Sequence, residues 1–182
     1  MIEKFAQSIE LSKIVNDIGK NIFDNSSRFD NTISSFLPRS GTWSGEKGNS
    51  VWFPNKDEIP KKDNPNDKTW GDILKEYQIE GIEFNDGEPN FDDIKVAEVQ
   101  IDNFTPDRTK NFPQADKELA KQWTDEGKDG KTWTSRDIAE WRKENNCTWH
   151  ECKDCKTMQL VPKEIHNNVP HAGGISEAKK QS

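Results

Sequence analysis

Reactive side chains are scarce in this chain. Of 182 residues three are cysteine and three are histidine. An odd, low cysteine count excludes a disulfide framework and leaves reduced thiols or one incidental bridge between Cys152 and Cys155. Apolar residues are only 30% of the total, against 32% charged, so the core must be lean and the loops extensive. No apolar run approaches the roughly 20 residues needed to span a bilayer, and no basic-then-apolar signal opens the chain. A soluble chain without membrane anchoring is expected. Basic charge is also short: the formal net charge is −7, which disfavours a polyanion as partner. The deficit is uneven, however. Residues 140–182 carry seven Lys/Arg against six Asp/Glu, while residues 1–139 carry nineteen against twenty-seven.

What is present compensates for the thin core. Seven Trp and nine Phe each bury a large area. Met1 to Phe23 has apolar residues near helical spacing (Ile2, Phe5, Ile9, Ile14, Val15, Ile18, Ile22) and predicts a helix, followed by a polar break from Asp24. Its polar face mixes Glu, Asp and Lys, which disfavours a membrane-lying role. Gly41 to Pro54 is rich in glycine and aromatics, and Lys56 to Lys68 is a charged loop. Thr69 to Tyr77 reads as a short helix, Gly81 to Phe84 as a strand turning at Asp86-Gly87, and Val96 to Ile101 as another strand. Gln114 to Trp123 predicts a helix with Ala115, Leu119 and Ala120 inward. Thr134 and Asp137 form a capping box for a further helix to Glu144, with Trp133 and Ile138 as a hydrophobic staple.

All three histidines, His150, His166 and His171, fall between Cys147 and His171. Imidazole is the commonest metal ligand and exchanges protons near neutral pH, so the chemistry belongs here. Cys147 to Glu151 predicts a strand, Cys152 to Lys156 a polar connection, and Thr157 to Val161 a second strand. Pro162 suits a helix start, and Lys163 to Asn168 gives one to two turns, stopped by Pro170 and Gly173-Gly174. Such a unit points a side chain from the first strand at two side chains on or just after the helix.

The phrases Thr-Trp-His-Glu, Thr-Met-Gln-Leu-Val-Pro, Ile-His and His-Ala-Gly-Gly over 148–174 resemble the ββα-metal unit of the HNH/endonuclease VII superfamily. The nearest branch reads Trp-His-His and occurs at the C-termini of bacterial polymorphic and contact-dependent toxins; Glu151 stands here in place of its second His. Upstream, Gly45 to Ser50, Gly81 to Phe91 and Asp107 to Asp116 resemble the region preceding that core. The resemblance therefore spans about 41–177. It implies an α+β fold, with a ββα-metal core over 147–182, an α/β scaffold over 41–146, and an N-terminal helix and linker over 1–40. The implied activity is metal-dependent hydrolysis of DNA without sequence preference, by the C-terminal piece of a larger exported toxin. Such a toxin acts in the cytoplasm of a target bacterium and is neutralised by a cognate immunity protein.

Within that frame His166 and His171 are the expected ligands of a divalent metal ion. Neutral imidazoles favour Zn²⁺ or Ni²⁺ over Mg²⁺. His150 is preferred as general base, because free Glu is the weaker base near neutral pH. Glu151 would then orient His150 or add a carboxylate oxygen to the metal. The superfamily's usual order gives the alternative, His150 as third ligand and Glu151 as base. Arg108 suits a phosphate of the substrate or a buried carboxylate. A Cys3His zinc site from Cys147, Cys152, Cys155 and His150 is the competing use of these residues, and would make the chain a non-catalytic interaction module. A ribonuclease toxin is the other alternative.

Overall fold

The computed structural model describes residues 36–181; the helix expected over Met1–Phe23 lies outside them. The glycine- and aromatic-rich stretch forms a hairpin of β1 (Thr42–Trp43) and β2 (Val51–Phe53), in register Trp43↔Trp52. α1 (Trp70–Glu76) starts at Thr69, whose hydroxyl accepts from Asp72 N–H while the Asp72 carboxylate accepts from Thr69 N–H. This capping box satisfies two orphan donors of the first turn. β3 (Ile82–Asn85) buries Ile82 and Phe84 and exposes Glu83 and Asn85, the alternation of a half-covered strand. It turns into β4 (Glu88–Pro89) through Asp86 and Gly87, both at positive φ (50° and 74°), as a two-residue hairpin loop requires. The four strands form one antiparallel sheet in the order β1-β2-β3-β4.

β5 (Ala97–Gln100) leads to α2 (Arg108–Asp125), which is longer than the sequence predicts at its N-terminal end. Asp107 caps the helix by accepting from Thr109 N–H at 3.0 Å, and Pro113 is tolerated in the second turn. α3 (Ser135–Glu144) has the expected box between Thr134 and Asp137, with Trp133 and Ile138 both buried. β6 (Cys147–Glu151) and β7 (Thr157–Pro162) then form the expected antiparallel hairpin, in register His150↔Gln159. β5 pairs with the far edge of β7, giving a second sheet in the order β5-β7-β6. The core lies between this sheet and α2 and α3. Val99, Leu119, Trp123, Ile138, Trp149, Met158 and Leu160 meet there.

The chain closes with α4 (Lys163–His166) and α5 (Gly174–Gln181). Helices and antiparallel sheets occur as separate blocks, so the fold is α+β. No helix among the described residues is long and apolar enough to cross a membrane.

Candidate metal centre

The two faces of β6 divide the labour. Cys147, Trp149 and Glu151 point toward α2 and α3, and His150 points the other way, since successive strand side chains alternate. On the helix side, Trp149 Nε1–H donates to Asp116 Oδ1 at 2.8 Å, and Arg142 donates to both Asp116 oxygens at 2.7 Å. The Glu151 carboxylate is 4% exposed and accepts from Arg108 Nε–H at 2.9 Å and Asn111 Nδ2–H at 3.0 Å. Of the two partners the sequence allows for Arg108, the buried carboxylate is thus present. The Arg108 side chain is nevertheless 60% exposed, and its terminal nitrogens make no hydrogen bond among the described residues.

On the other side His150 meets both remaining histidines. Its Nδ1 lies 3.3 Å from His166 Nε2, and one nitrogen from each of His150, His166 and His171 lies within 4.8 Å of the others. Phe91, 1% exposed, packs its ring against all three imidazoles, edge-on to His150 at 5.0 Å between centroids. Neighbouring polar groups select the tautomers. Asp63 accepts from Asn167 Nδ2–H at 2.6 Å, which turns Asn167 Oδ1 toward His166 Nδ1 at 3.0 Å. The proton of His166 therefore sits on Nδ1 and its lone pair on Nε2. His171 Nδ1–H likewise donates to Val169 O at 2.7 Å, leaving its Nε2 as acceptor. Burial, then the neighbouring imidazoles, push the His166 pKa well below the usual histidine value. Burial first, then His150, lowers that of His171 to about 4.

His166 and His171 direct their Nε2 lone pairs at the space that His150 Nδ1 also faces, so a cation there would be reached by all three rings. Tetrahedral ligands about 2.0–2.1 Å from zinc stand about 3.3–3.4 Å apart, which is the His150–His166 spacing. The donor set thus fits a borderline divalent ion such as Zn²⁺. A cavity of about 290 Å³ opens beside it, bordered by Arg108, Glu151, His171, Gly173 and Ser176 among others. Gly173 makes this approach possible, because a Cβ there would stand 2.8 Å from Glu151 O.

Several groups at the site were not singled out by the sequence, although Glu88, Phe91, Asn111 and Asp116 lie within the stretches 81–91 and 107–116 that carry the upstream resemblance. Glu88 on β4 brings its Oε1 to 3.5 Å from His150 Nε2, and that nitrogen is buried with no hydrogen-bond partner. Phe91, Asn111, Asp116 and Asn167 are the others, and only the fold brings them to the histidines. The three cysteines do not converge. Cys147 packs in the core and its thiol donates to Asn145 O, Cys155 lies against Lys153 O and Gly174 O, and Cys152 alone stands beside Glu88 and His150. All three are free thiols.

Against known families, the model for the DNase/tRNase domain of colicin-like bacteriocin matches residues 81–173, from the start of β3 to the loop after His171. No curated protein matches the chain.

Proposed function

The chain belongs to the family of DNase/tRNase domains of colicin-like bacteriocins, and from that premise we propose that it is a metal-dependent endonuclease of the HNH, ββα-metal type. Its substrate is DNA, cut without sequence preference, and it works as an antibacterial toxin domain. The observation carrying this is the set of three converging imidazole nitrogens beside an open cavity. A structural zinc site is closed by four protein ligands, whereas a catalytic one keeps a position for water or substrate.

The ligands are His150 Nδ1, His166 Nε2 and His171 Nε2. Sequence alone preferred His150 as base, but its geometry favours the ligand role. One of its nitrogens faces His166, and the other is buried behind the ring toward Glu88. The base is then Glu151, the alternative order. Arg108 and Asn111 hold its carboxylate at the edge of the cavity, and a carboxylate with two donors still has lone pairs for a water proton. The free end of the Arg108 guanidinium binds a phosphate oxygen of the strand being cut. A divalent ion, when bound, supplies charge neutralisation at the scissile phosphate and its leaving oxygen.

A cognate immunity protein, export as part of a larger toxin, and action in the cytoplasm of a target bacterium complete the reading. Most of the acidic excess lies before residue 140, so the immunity protein meets this chain with basic residues or binds beside the site. Purified protein incubated with plasmid and with total RNA, with and without EDTA, tests the activity. EDTA-sensitive loss of plasmid is expected. Degraded RNA beside intact plasmid overturns the DNA assignment, and cleavage unaffected by EDTA overturns the metal centre.

A further inference from the structure

His150 is a wall between two cavities. Its Nδ1 faces the 290 Å³ cavity of the histidine set, and its Nε2 faces a second one of about 180 Å³ behind it. Glu88, Cys152, Asp92, Asn85, Asn90 and Gln159 border this second space. The His150 side chain is 1% exposed and Nε2 has no hydrogen-bond partner among the described residues. A buried polar atom left without a partner is costly, and a ligand answers that cost directly. The neighbours of Nε2 are themselves donors. Glu88 Oε1, an imidazole nitrogen of His150 and Cys152 Sγ lie within 4.8 Å of one another.

We propose that Glu88, His150 Nε2 and Cys152 form a second divalent-cation site, distinct from the three-histidine set and sharing only the His150 ring with it. It rests on the proposed function only in that His150 serves the first site through Nδ1. The chemistry of the donors selects the ion. A thiol, an imidazole and one carboxylate suit a borderline or soft cation, Zn²⁺ or Co²⁺, and not Mg²⁺ or Ca²⁺. The 3.5 Å between Glu88 Oε1 and His150 Nε2 is too long for a good hydrogen bond, but it is close to the spacing of two ligands on one tetrahedral ion. Lys153 N–H donates to Glu88 Oε1 at 2.7 Å and so holds the carboxylate at the mouth of the cavity. The cavity has room for a water as fourth ligand. On binding, the Cys152 thiol releases its proton to solvent.

A neutral imidazole offers one lone pair. A cation at Nε2 therefore leaves the His150 proton on Nδ1, directed at His166 Nε2, and loading the second site weakens the first. The family resemblance supplies no reason for this pairing, since Cys152 stands in the connection between the two strands and outside the histidine set.

Titration of the purified, metal-free full chain with Co²⁺ tests the inference without any nucleic acid. Two sites competing through the His150 ring are expected, and the one at Cys152 produces a thiolate-to-cobalt charge-transfer band. Cys152→Ser should lose that band, Glu88→Gln should weaken the banded site at least tenfold with the thiol intact, and Cys155→Ser should leave the band unchanged. The double variant His166→Ala/His171→Ala should keep the band. No charge-transfer band in the unaltered chain, or a band that survives Cys152→Ser, or one abolished by Cys155→Ser, overturns the second site. The readouts separate the two ideas. A chain that shows the band but cuts nothing keeps this site and loses the nuclease assignment, and a chain that cuts DNA without showing the band does the reverse.

Discussion

At the scale of the residue, the three histidines and Glu151 make different demands. His150→Ala, His166→Ala and His171→Ala each remove one of three ligands, so each should lower Zn²⁺ affinity by about 100-fold or more and abolish plasmid cleavage, with the circular dichroism spectrum unchanged. Isothermal titration of the His150 variant is the sharpest of these tests, because near-native affinity there restores His150 as the base. Glu151→Gln keeps the shape but loses the basicity and one of the two hydrogen bonds that the carboxylate accepts from Arg108 and Asn111. Cleavage should fall by about 10²–10⁴-fold while metal affinity stays within a few-fold. Asp116 belongs to a different class. It is 4% exposed and holds Arg142 and Trp149 at once. Asp116→Ala leaves a half-buried guanidinium without its anion and should cost about 3–5 kcal/mol, read from urea unfolding midpoints.

At the scale of the element, local chemistry decided which parts the sequence made legible. The hairpin β6–β7, the helix after Pro162 and the capping box at Thr134 all follow from nearest-neighbour rules, and each forms as expected. α2 starts at Arg108, ahead of the expected Gln114, because its first turn is set by the Asp107 cap rather than by the inward row of Ala115, Leu119 and Ala120. The pairing of β5 with β7 could not be read, since an edge strand's partner is chosen by long-range packing rather than by its own alternation. The same limit hid Glu88 and Asn111. Nothing within several residues of either marks it as a neighbour of His150 or Glu151, which lie far along the chain. The histidines were legible because their scarcity and clustering carry the signal. Which nitrogen of His150 faces which neighbour needed coordinates.

At the scale of the whole molecule, pH should act on the metal-free protein through the histidines. His166 and His171 are both held neutral in the folded state to well below the value near 6.5 that they regain on unfolding. The unfolded chain thus binds protons that the folded one refuses as pH falls below about 6.5. Stability should be flat above that value and decline as pH drops toward about 4, where His171 itself titrates. Urea unfolding of EDTA-treated protein from pH 8 to 4 measures this. A midpoint that rises on acidification contradicts it.

The matched span of 81–173 opens at the first residues of β3, and that placement has a consequence for anyone wishing to cut the protein down. Glu164, 6% exposed on α4 two residues before His166, accepts from Tyr77 Oη–H at 2.9 Å and from Lys68 Nζ at 3.2 Å. Both donors precede the span, as do Asp63, which orients Asn167, and β2, the partner of β3. A fragment of 81–173 would carry all three histidines, but with His166 on a helix whose buried carboxylate has lost its donors, and beside a strand with one raw edge. It should unfold without a sharp transition and bind Zn²⁺ at least tenfold more weakly than the full chain. The part recognisable by kinship holds the reagents, and the dispensable-looking segment ahead of it is the vessel that keeps them aligned.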